Sequence, residues 1–186
     1  MRLFVALNFS TKERASIRRA TKPLRETEMP VRWMPADELH VTLKFLGEVR
    51  RERIEELAGA ISRVTDKTKA FATKFGSFGA FPSVRQPRVI WLGLGANAEL
   101  RCLKQDLEYS FGDVGFEAET RAFHPHITLG RADDRDGAGA FRGLDDALTN
   151  LECPGEVKVH TVDLMRSQTS PKGSTYTVLS SARLVP

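Results

Sequence analysis

The chain repeats itself once, at an offset of 86 residues. The segment Arg2–Leu7, RLFVAL, aligns with Arg88–Gly93, RVIWLG, and His40–Leu43, HVTL, aligns with His126–Leu129, HITL. Solenoid repeats have periods of about 20–50 residues and need three or more copies. A single repeat near half of the 186-residue length therefore predicts two similar lobes that face each other.

Helical and strand patterns fill the space between the repeated segments. A first helix is predicted after the capping box Ser10-x-x-Glu13, and the repeat places a second helix over 97–111. The Gly- and Phe-rich stretch Gly76–Pro87 is predicted to connect the lobes. Further helices are predicted over 54–64 and 141–151, with strands or extended pieces at 2–8, 31–34, 40–46, 70–76, 88–94, 116–120, 126–131, 156–166 and 174–182. Intermixed strands and helices, with several alternating strands, indicate an α+β fold with antiparallel sheets.

Composition places the chain among ordinary globular proteins, with 41% hydrophobic and 28% charged residues. The longest early apolar run is Leu3–Leu7, which is too short for a signal peptide or a membrane span. We therefore expect a cytoplasmic protein. Cys102 and Cys153 form no metal-type or disulfide pattern and are expected to be buried or incidental. The net charge of +4 and the isoelectric point near 9.3 favour polyanionic partners.

Each half of the repeat contains a His-x-Thr motif on a predicted strand, His40 with Thr42 and His126 with Thr128. Successive side chains of a strand point to opposite faces, so the His and Thr of each motif share one face. The apolar neighbours, Phe45 among them, are expected on the other face, toward the core. A twofold relation between the strands would line one cleft with two imidazoles and two hydroxyls.

Two imidazoles suit phosphodiester chemistry, because one can take a proton from the attacking oxygen while the other protonates the leaving oxygen. An ordinary histidine pKa of about 6.5 allows both protonation states near neutral pH. Threonine hydroxyls can donate hydrogen bonds to the nonbridging oxygens. The motif pair predicts catalysis without a metal or another cofactor.

Two other interpretations of these histidines stay open. In the simplest alternative, each histidine is a structural residue. Packing, however, gives no reason for the same polar pair to occur twice at one offset. The alternative is a zinc site at His124 and His126. Pro125 disturbs the strand alternation between them, and no cysteine pair assists. We interpret His124 and His160 as structural or surface residues.

The flanks of both motifs resemble a known family. Residues 31–49, VRWMPADELHVTLKFLGEV, are similar to the first His-x-Thr block of the RNA 2′,3′-cyclic phosphodiesterases, formerly called 2′-5′ RNA ligases, in the two-histidine phosphoesterase superfamily. Residues 123–131, FHPHITLGR, resemble the second block. The opening RLFVAL, the segment 87–91 and the tail with Ser167, Gly173 and Tyr176 also fit, so the resemblance covers nearly the whole chain.

The resemblance implies one bilobal catalytic domain, residues 1–186, with lobes at about 1–80 and 88–186. Strands can be exchanged between the two lobes in such an arrangement. Two antiparallel sheets, related by a pseudo-twofold axis, would face a central cleft, with helices on the outer faces. The implied reaction is hydrolysis of an RNA 2′,3′-cyclic phosphate end to a 2′-phosphate. His126 would activate water and His40 would protonate the departing 3′ oxygen, although the approximate twofold makes the two imidazoles nearly interchangeable. Thr42 and Thr128 would bind the phosphate.

Three further residues are candidates for substrate binding: Arg131, Tyr176 and Phe81. On an ideal strand Arg131 would face away from His126. Phe81 and its neighbour Phe78 would stack on bases or cover the core. The basic residues of the first helix would follow an RNA backbone or form a solvated face, and they are Lys12, Arg14, Arg18, Arg19, Lys22 and Arg25.

Other functions remain alternatives to hydrolysis of an RNA end. They are 2′-5′ RNA end joining, hydrolysis of a small cyclic nucleotide, and RNA binding without turnover. In each case the expected partner is RNA or a small nucleotide, with no membrane and with the chain acting as a monomer.

Overall fold

A computed structural model describes residues 1–132, 139–170 and 173–186. The chain begins with strand β1, Arg2–Asn8, and helix α1, Thr11–Ala20. The later helices are α2 (Lys22–Arg25), α3 (Ile54–Thr65), α4 (Ala98–Gly112) and α5 (Leu144–Thr149). The later strands are β2 (Val31–Trp33), β3 (His40–Glu48), β4 (Phe71–Pro82), β5 (Pro87–Leu94), β6 (His126–Ala132), β7 (Glu156–Val159), β8 (Thr161–Ser170) and β9 (Gly173–Arg183).

Helix α1 begins where the sequence predicts. The Ser10 side chain accepts a hydrogen bond from the Glu13 backbone N–H, and the Glu13 carboxylate accepts from the Ser10 backbone N–H at 2.7 Å. Asn97 caps α4 in a related way, by accepting from the Leu100 N–H at 2.7 Å. Each cap satisfies backbone donors that have no partner inside the helix. These local signals explain why both helix starts can be predicted from the sequence.

The strands form an antiparallel sheet in the order β7-β4-β5-β6-β3-β1-β8-β9, with β2 also paired to β6. Helices α3 and α4 pack on each other, α3 also contacts β8 and β9, and α4 contacts β3. The predicted α+β class with antiparallel pairing is confirmed. The strands follow one continuous path instead of two separate sheets, because Val41 of β3 pairs with Ile127 of β6 at the centre.

Strands from the two halves of the sequence are interleaved. Strand β4, from the first half, lies between β5 and β7, and β8, from the second half, lies beside β1. Most of the buried side chains form one cluster, with Val5, Leu57 and Leu107 fully buried within it. A second cluster of Phe4, Ala6 and Met165 is separate from this core.

Several predicted elements differ from the structure. The stretch Gly76–Pro87 is not a loose connector, because β4 continues to Pro82 and pairs with β5. The residues at 116–120 form no strand, and the helix predicted over 141–151 is confined to α5. The strand predicted over 156–166 is divided between β7 and β8. Cys153 is buried, but Cys102 is exposed. Within the described ranges, none of the helices is long and apolar enough to cross a membrane.

Candidate active site

Two β-bulges at repeat-related positions shape the strands that carry the motifs. In β3, Thr42 and Lys44 pair with consecutive residues of β1, so Leu43 is the extra residue. In β6, Thr128 and Gly130 pair with consecutive residues of β5, so Leu129 is the extra residue. A bulge bends the strand and changes which face later side chains occupy.

The bulges overturn two expectations about side-chain direction. Phe45, expected toward the core, is 74% exposed and lies in the cleft beside Phe4, with ring centroids 6.3 Å apart. Arg131, expected to face away from His126, also lines the cleft. The strict alternation of side chains fails at Phe45 and Arg131, because Leu43 and Leu129 each add one residue to the strand before them.

The two motifs open into a single cleft of about 1270 Å³. His40, Thr42, His126 and Thr128 all line it, so the structure brings together the four residues that the sequence singles out. Among the other lining residues are Arg2, Phe4, Phe45, Phe81, Arg131, Ser167, Thr169, Ser174 and Tyr176. The sequence analysis missed Arg2, Phe4, Phe45, Thr169 and Ser174 as cleft residues.

The two imidazoles are held by the same type of hydrogen bond. Nδ1 of His40 lies 2.7 Å from the Glu38 carbonyl oxygen, and Nδ1 of His126 lies 2.8 Å from the His124 carbonyl oxygen. Because a carbonyl oxygen only accepts, Nδ1 is the donor in both rings. This fixes the neutral tautomer and leaves Nε2 as the nitrogen that can take or give a proton.

Aromatic rings flank each histidine. The His40 ring lies 4.8 Å from the Tyr176 ring and 5.0 Å from the Phe4 ring, measured between centroids. The His126 ring lies 5.2 Å from the Phe81 ring. Tyr176 and Phe81, both predicted to bind substrate, are therefore next to the two imidazoles. Phe78, in contrast, is buried in the core.

Trp91 supports the second aromatic group. Its ring lies 5.0 Å from Phe81 and 6.4 Å from His126. A Cβ atom on Gly79 would come within 2.3 Å of the Trp91 ring. The absence of a side chain at Gly79 therefore creates the space in which the indole packs.

The electrostatic environment of His40 favours its neutral form. Burial lowers the pKa of His40, and the charges of Arg131, Arg14 and His126 lower it further, against the raising effect of the hydrogen bond to Glu38. Charged imidazolium is disfavoured by loss of water and by nearby cations. His40 thus starts neutral more readily than an exposed histidine does.

A charged cluster lies at another part of the cleft wall. Lys44, which is 5% exposed, donates to the Glu108 carboxylate at 2.5 Å and to the Glu117 carbonyl at 2.8 Å. Lys104 pairs with the other oxygen of Glu108. Burial works to raise the pKa of Glu108, but the hydrogen bonds from Lys104 and Lys44 outweigh it and lower the pKa overall. This cluster fixes α4 to β3.

Metal binding was the alternative for His124 and His126. The side chain of His124 is exposed, and its backbone carbonyl is the group that binds His126 Nδ1. In the described part of the chain, no group of three or more His, Cys, Asp or Glu residues is arranged to hold a metal ion.

A profile of the 2′-5′ RNA ligase superfamily matches residues 13–171. The chain belongs to this superfamily. An RNA 2′,3′-cyclic phosphodiesterase of Methanothermobacter thermautotrophicus is 29% identical to it over 184 residues, which is 99% of each chain. The superfamily resemblance inferred from the flanks of the two motifs is thereby confirmed.

Solved structures of similar proteins extend this relationship to the fold. A protein of Thermus thermophilus superposes with a TM-score of 0.83 at 28% identity, covering 99% of this chain and 98% of the other. E. coli LigT in complex with 3′-AMP superposes with a TM-score of 0.76 at 27% identity, covering 100% of this chain and 98% of the other. The superfamily fold therefore extends over the whole length of the chain.

Proposed function

We propose that the chain hydrolyses RNA 2′,3′-cyclic phosphate ends to 2′-phosphate ends, with His40 and His126 as the acid/base pair. The observation that carries the proposal is the matched setting of the two imidazoles, each with Nδ1 bound to a backbone carbonyl in one cleft. The relatives that match along nearly the whole chain are named RNA 2′,3′-cyclic phosphodiesterases. E. coli LigT, which binds 3′-AMP, supports a nucleotide as the ligand.

In the proposed reaction, Nε2 of one histidine removes a proton from water as the water oxygen attacks phosphorus. The bond from phosphorus to the 3′ oxygen breaks, and the second histidine donates its proton to that oxygen. The products are a 2′-phosphate and a free 3′-hydroxyl. Thr42 and Thr128 donate hydrogen bonds to the nonbridging oxygens, where negative charge develops.

We assign the activation of water to His126 and the protonation of the departing 3′ oxygen to His40. The lowered pKa of His40 in the free protein works against this assignment, because the general acid must be protonated when the reaction begins. A bound phosphodiester anion would offset the charges of Arg131 and Arg14 and raise the pKa of His40 again. The assignment therefore requires that substrate binding promotes protonation of His40.

Three side chains are proposed to position the substrate. Arg131 faces the cleft and supplies a positive charge near the reacting phosphate. Tyr176 packs beside His40 and Phe81 beside His126, so each presents an aromatic ring next to a catalytic imidazole. Aromatic rings of this kind can stack on nucleobases.

We further propose that residues 1–186 form a single bilobal domain with an approximate twofold axis near the Val41–Ile127 pair. The two lobes correspond to sequence segments of about 1–80 and 88–186, with one exchange. Strand β4 of the first segment pairs with strands of the second, and β8 of the second segment pairs with β1 of the first. The matching bulges at Leu43 and Leu129 support this relation. We propose that the chain acts as a monomer, because one copy already brings His40, Thr42, His126 and Thr128 into the same cleft.

The test is incubation with an RNA oligonucleotide that ends in a 2′,3′-cyclic phosphate, with and without a chelator, followed by identification of the product. A 2′-phosphate is expected under both conditions. A 3′-phosphate product would mean that the substrate lies reversed in the cleft, with the two histidine roles exchanged. Binding without any product would favour the RNA-binding alternative, and added RNA with a 5′-hydroxyl tests end joining.

A further inference from the structure

The carbonyl that holds His40 is fixed by a short helical turn. Residues Ala36–Glu38 form this turn, and the Leu39 N–H donates to the Ala36 carbonyl at 3.4 Å. That N–H and the Glu38 carbonyl belong to the same planar peptide unit. The hydrogen bond of Leu39 therefore fixes the plane of the carbonyl that accepts from Nδ1 of His40.

The repeat-related carbonyl of His124 has no such turn before it, because residues 116–125 form neither helix nor strand. The nitrogen of its peptide unit belongs to Pro125, which has no N–H to donate. Leu94 donates to the Pro125 carbonyl at 3.0 Å, but that carbonyl belongs to the next peptide unit. The carbonyl that accepts from Nδ1 of His126 must therefore be held by the residues before it.

The 117–124 segment lines the cleft, and its start is tied to α4 by the Glu108 carboxylate. Glu108 accepts a hydrogen bond from the Glu119 N–H at 3.2 Å. The same carboxylate binds Lys44 of β3, and Lys44 donates to the Glu117 carbonyl at 2.8 Å. One carboxylate thus fixes two backbone groups at the start of the segment, one of them directly and one through a lysine.

The end of the segment is connected to the same carboxylate through Lys104. Lys104 binds the second oxygen of Glu108, and its ammonium nitrogen lies 5.8 Å from the centre of the Phe123 ring. A cation over an aromatic ring at this distance is attracted to the ring. Phe123 directly precedes His124 in the chain, so Lys104 restrains the residue before the acceptor carbonyl.

The charged groups that hold the segment are shielded from water. Lys44 and Lys104 are buried, and the Glu108 side chain is 13% exposed. Burial raises the pKa of Glu108, but the hydrogen bonds from Lys104, Lys44 and the Glu119 N–H outweigh it, so the carboxylate is ionised at neutral pH. Because loss of one partner would leave an uncompensated buried charge, the cluster resists separation.

We propose that Glu108 is a positioning residue for His126, because it holds the 117–124 segment and with it the carbonyl that keeps the ring proton of His126 on Nδ1. The inference rests on the proposed function, in which Nε2 of His126 must carry no proton if it is to take one from water. The role belongs to one half of the molecule, since His40 obtains its support from the turn before it.

The first measurement is the tautomer of both imidazoles, by NMR of the ring nitrogens in the free protein at a pH where the rings are neutral. Glu108→Gln and Lys104→Met are each expected to give His126 a population with the proton on Nε2. His40 is expected to keep its proton on Nδ1 in both variants. Lys104→Met retains the Lys44–Glu108 pair, so it tests the inference even if Glu108→Gln does not fold.

The second measurement is kcat on an RNA 2′,3′-cyclic phosphate, at a temperature where each variant is fully folded. We expect both variants to lower kcat about tenfold or more, because a misplacement of about 1 Å can cost about 100-fold. Glu108→Gln removes a negative charge and Lys104→Met removes a positive one. A purely electrostatic effect would therefore change kcat in opposite directions, and that result would overturn the inference.

Ser110→Ala is the matched control on the same helix. The Ser110 hydroxyl donates to the Ala60 carbonyl of α3 at 2.7 Å, so this variant loses a buried hydrogen bond to α3 and none to the 117–124 segment. It is expected to unfold at a lower temperature than the unmodified protein. Both tautomers and kcat are expected to stay unchanged, which separates positioning from stability.

The inference would be overturned if His126 kept its Nδ1 proton in a folded Glu108→Gln or Lys104→Met protein, or if kcat did not fall with the change of tautomer. An equal change at His40 would also overturn it, because the support would then not be specific to His126. Failure of the unmodified protein to hydrolyse the RNA would instead contradict the proposed function. The tautomer measurement would still show whether Glu108 positions His126.

Discussion

Val41 pairs with Ile127 across the centre of the sheet, and the two residues hold the same place in the two His-x-Thr motifs. Because β3 and β6 are antiparallel, this pair brings His40 level with Thr128 and Thr42 level with His126. A phosphate between the strands would meet one histidine and one threonine from each side.

The first prediction follows from this arrangement. His40→Ala and His126→Ala are each expected to lower kcat by about 100-fold or more on an RNA 2′,3′-cyclic phosphate, as loss of a general acid or base does. His160→Ala is the control, because His160 is exposed. Full activity in either cleft variant would rule out the two-histidine mechanism.

The sequence predicted the parts of the site that depend on short motifs. The His-x-Thr pairs, the capping box at Ser10 and strands β3 and β6 follow from local patterns that tertiary packing does not override. The directions of Phe45 and Arg131 could not be predicted, because a strand read from sequence is assumed to alternate without interruption. The bulges are visible only in the pairing with β1 and β5.

The second prediction is that excess EDTA leaves the hydrolysis rate unchanged. The proton transfers use Nε2 of His40 and His126, and the hydroxyls of Thr42 and Thr128 bind the phosphate, so no step requires a metal. The measurement is kcat after incubation with EDTA and removal of free metal. If EDTA inactivates the protein and only added zinc restores its activity, the reaction would instead take place at a zinc site formed by His124 and His126.

The third prediction concerns the Lys44–Glu108–Lys104 cluster. Glu108→Gln is expected to lower the free energy of unfolding by about 3 kcal/mol, because it leaves buried lysine charge without a partner. The folded-state pKa of Glu108 is lowered, so its contribution is present above the ordinary carboxyl pKa and is lost as pH falls through the folded value. Denaturant unfolding from pH 7 downward measures this, with the exposed Glu55→Gln as control. A pH-independent difference would contradict the electrostatic origin.

The fourth prediction tests the space around Trp91. Gly79→Ala places a methyl group against the indole and is expected to destabilise the fold by about 1–3 kcal/mol. Displacement of Trp91 should also disturb Phe81 and His126 and lower kcat. Gly59→Ala in α3 is the matched control, since nothing lies within 4 Å of its Cβ position. A helix-interior Gly-to-Ala change should stabilise the protein by about 0.5–1 kcal/mol. Equal effects of the two substitutions would show that Trp91 is not confined by Gly79.

The fifth prediction uses Arg14 to identify the role of His40. Arg14 is one of three positive charges that lower the pKa of His40, and it does not line the cleft. Arg14→Gln is therefore expected to raise the pKa of His40, measured by NMR titration of the imidazole in the free protein. Arg19→Gln, on the exposed side of the same helix, should leave it unchanged.

The pH profile of kcat/KM then shows which proton transfer His40 performs, since it reports the ionisations of the free enzyme. With its lowered pKa, His40 sets the acidic limb of the profile in either role, so Arg14→Gln is expected to move that limb to higher pH in both cases. The maximum of kcat/KM distinguishes the roles. If His40 is the general acid, a higher pKa increases the fraction of enzyme in which His40 is protonated while the base is neutral, and the maximum rises. The two imidazoles are coupled, so the limbs belong to the pair. A maximum that stays the same or falls would identify His40 as the base and reverse the proposed assignment of His126 to water.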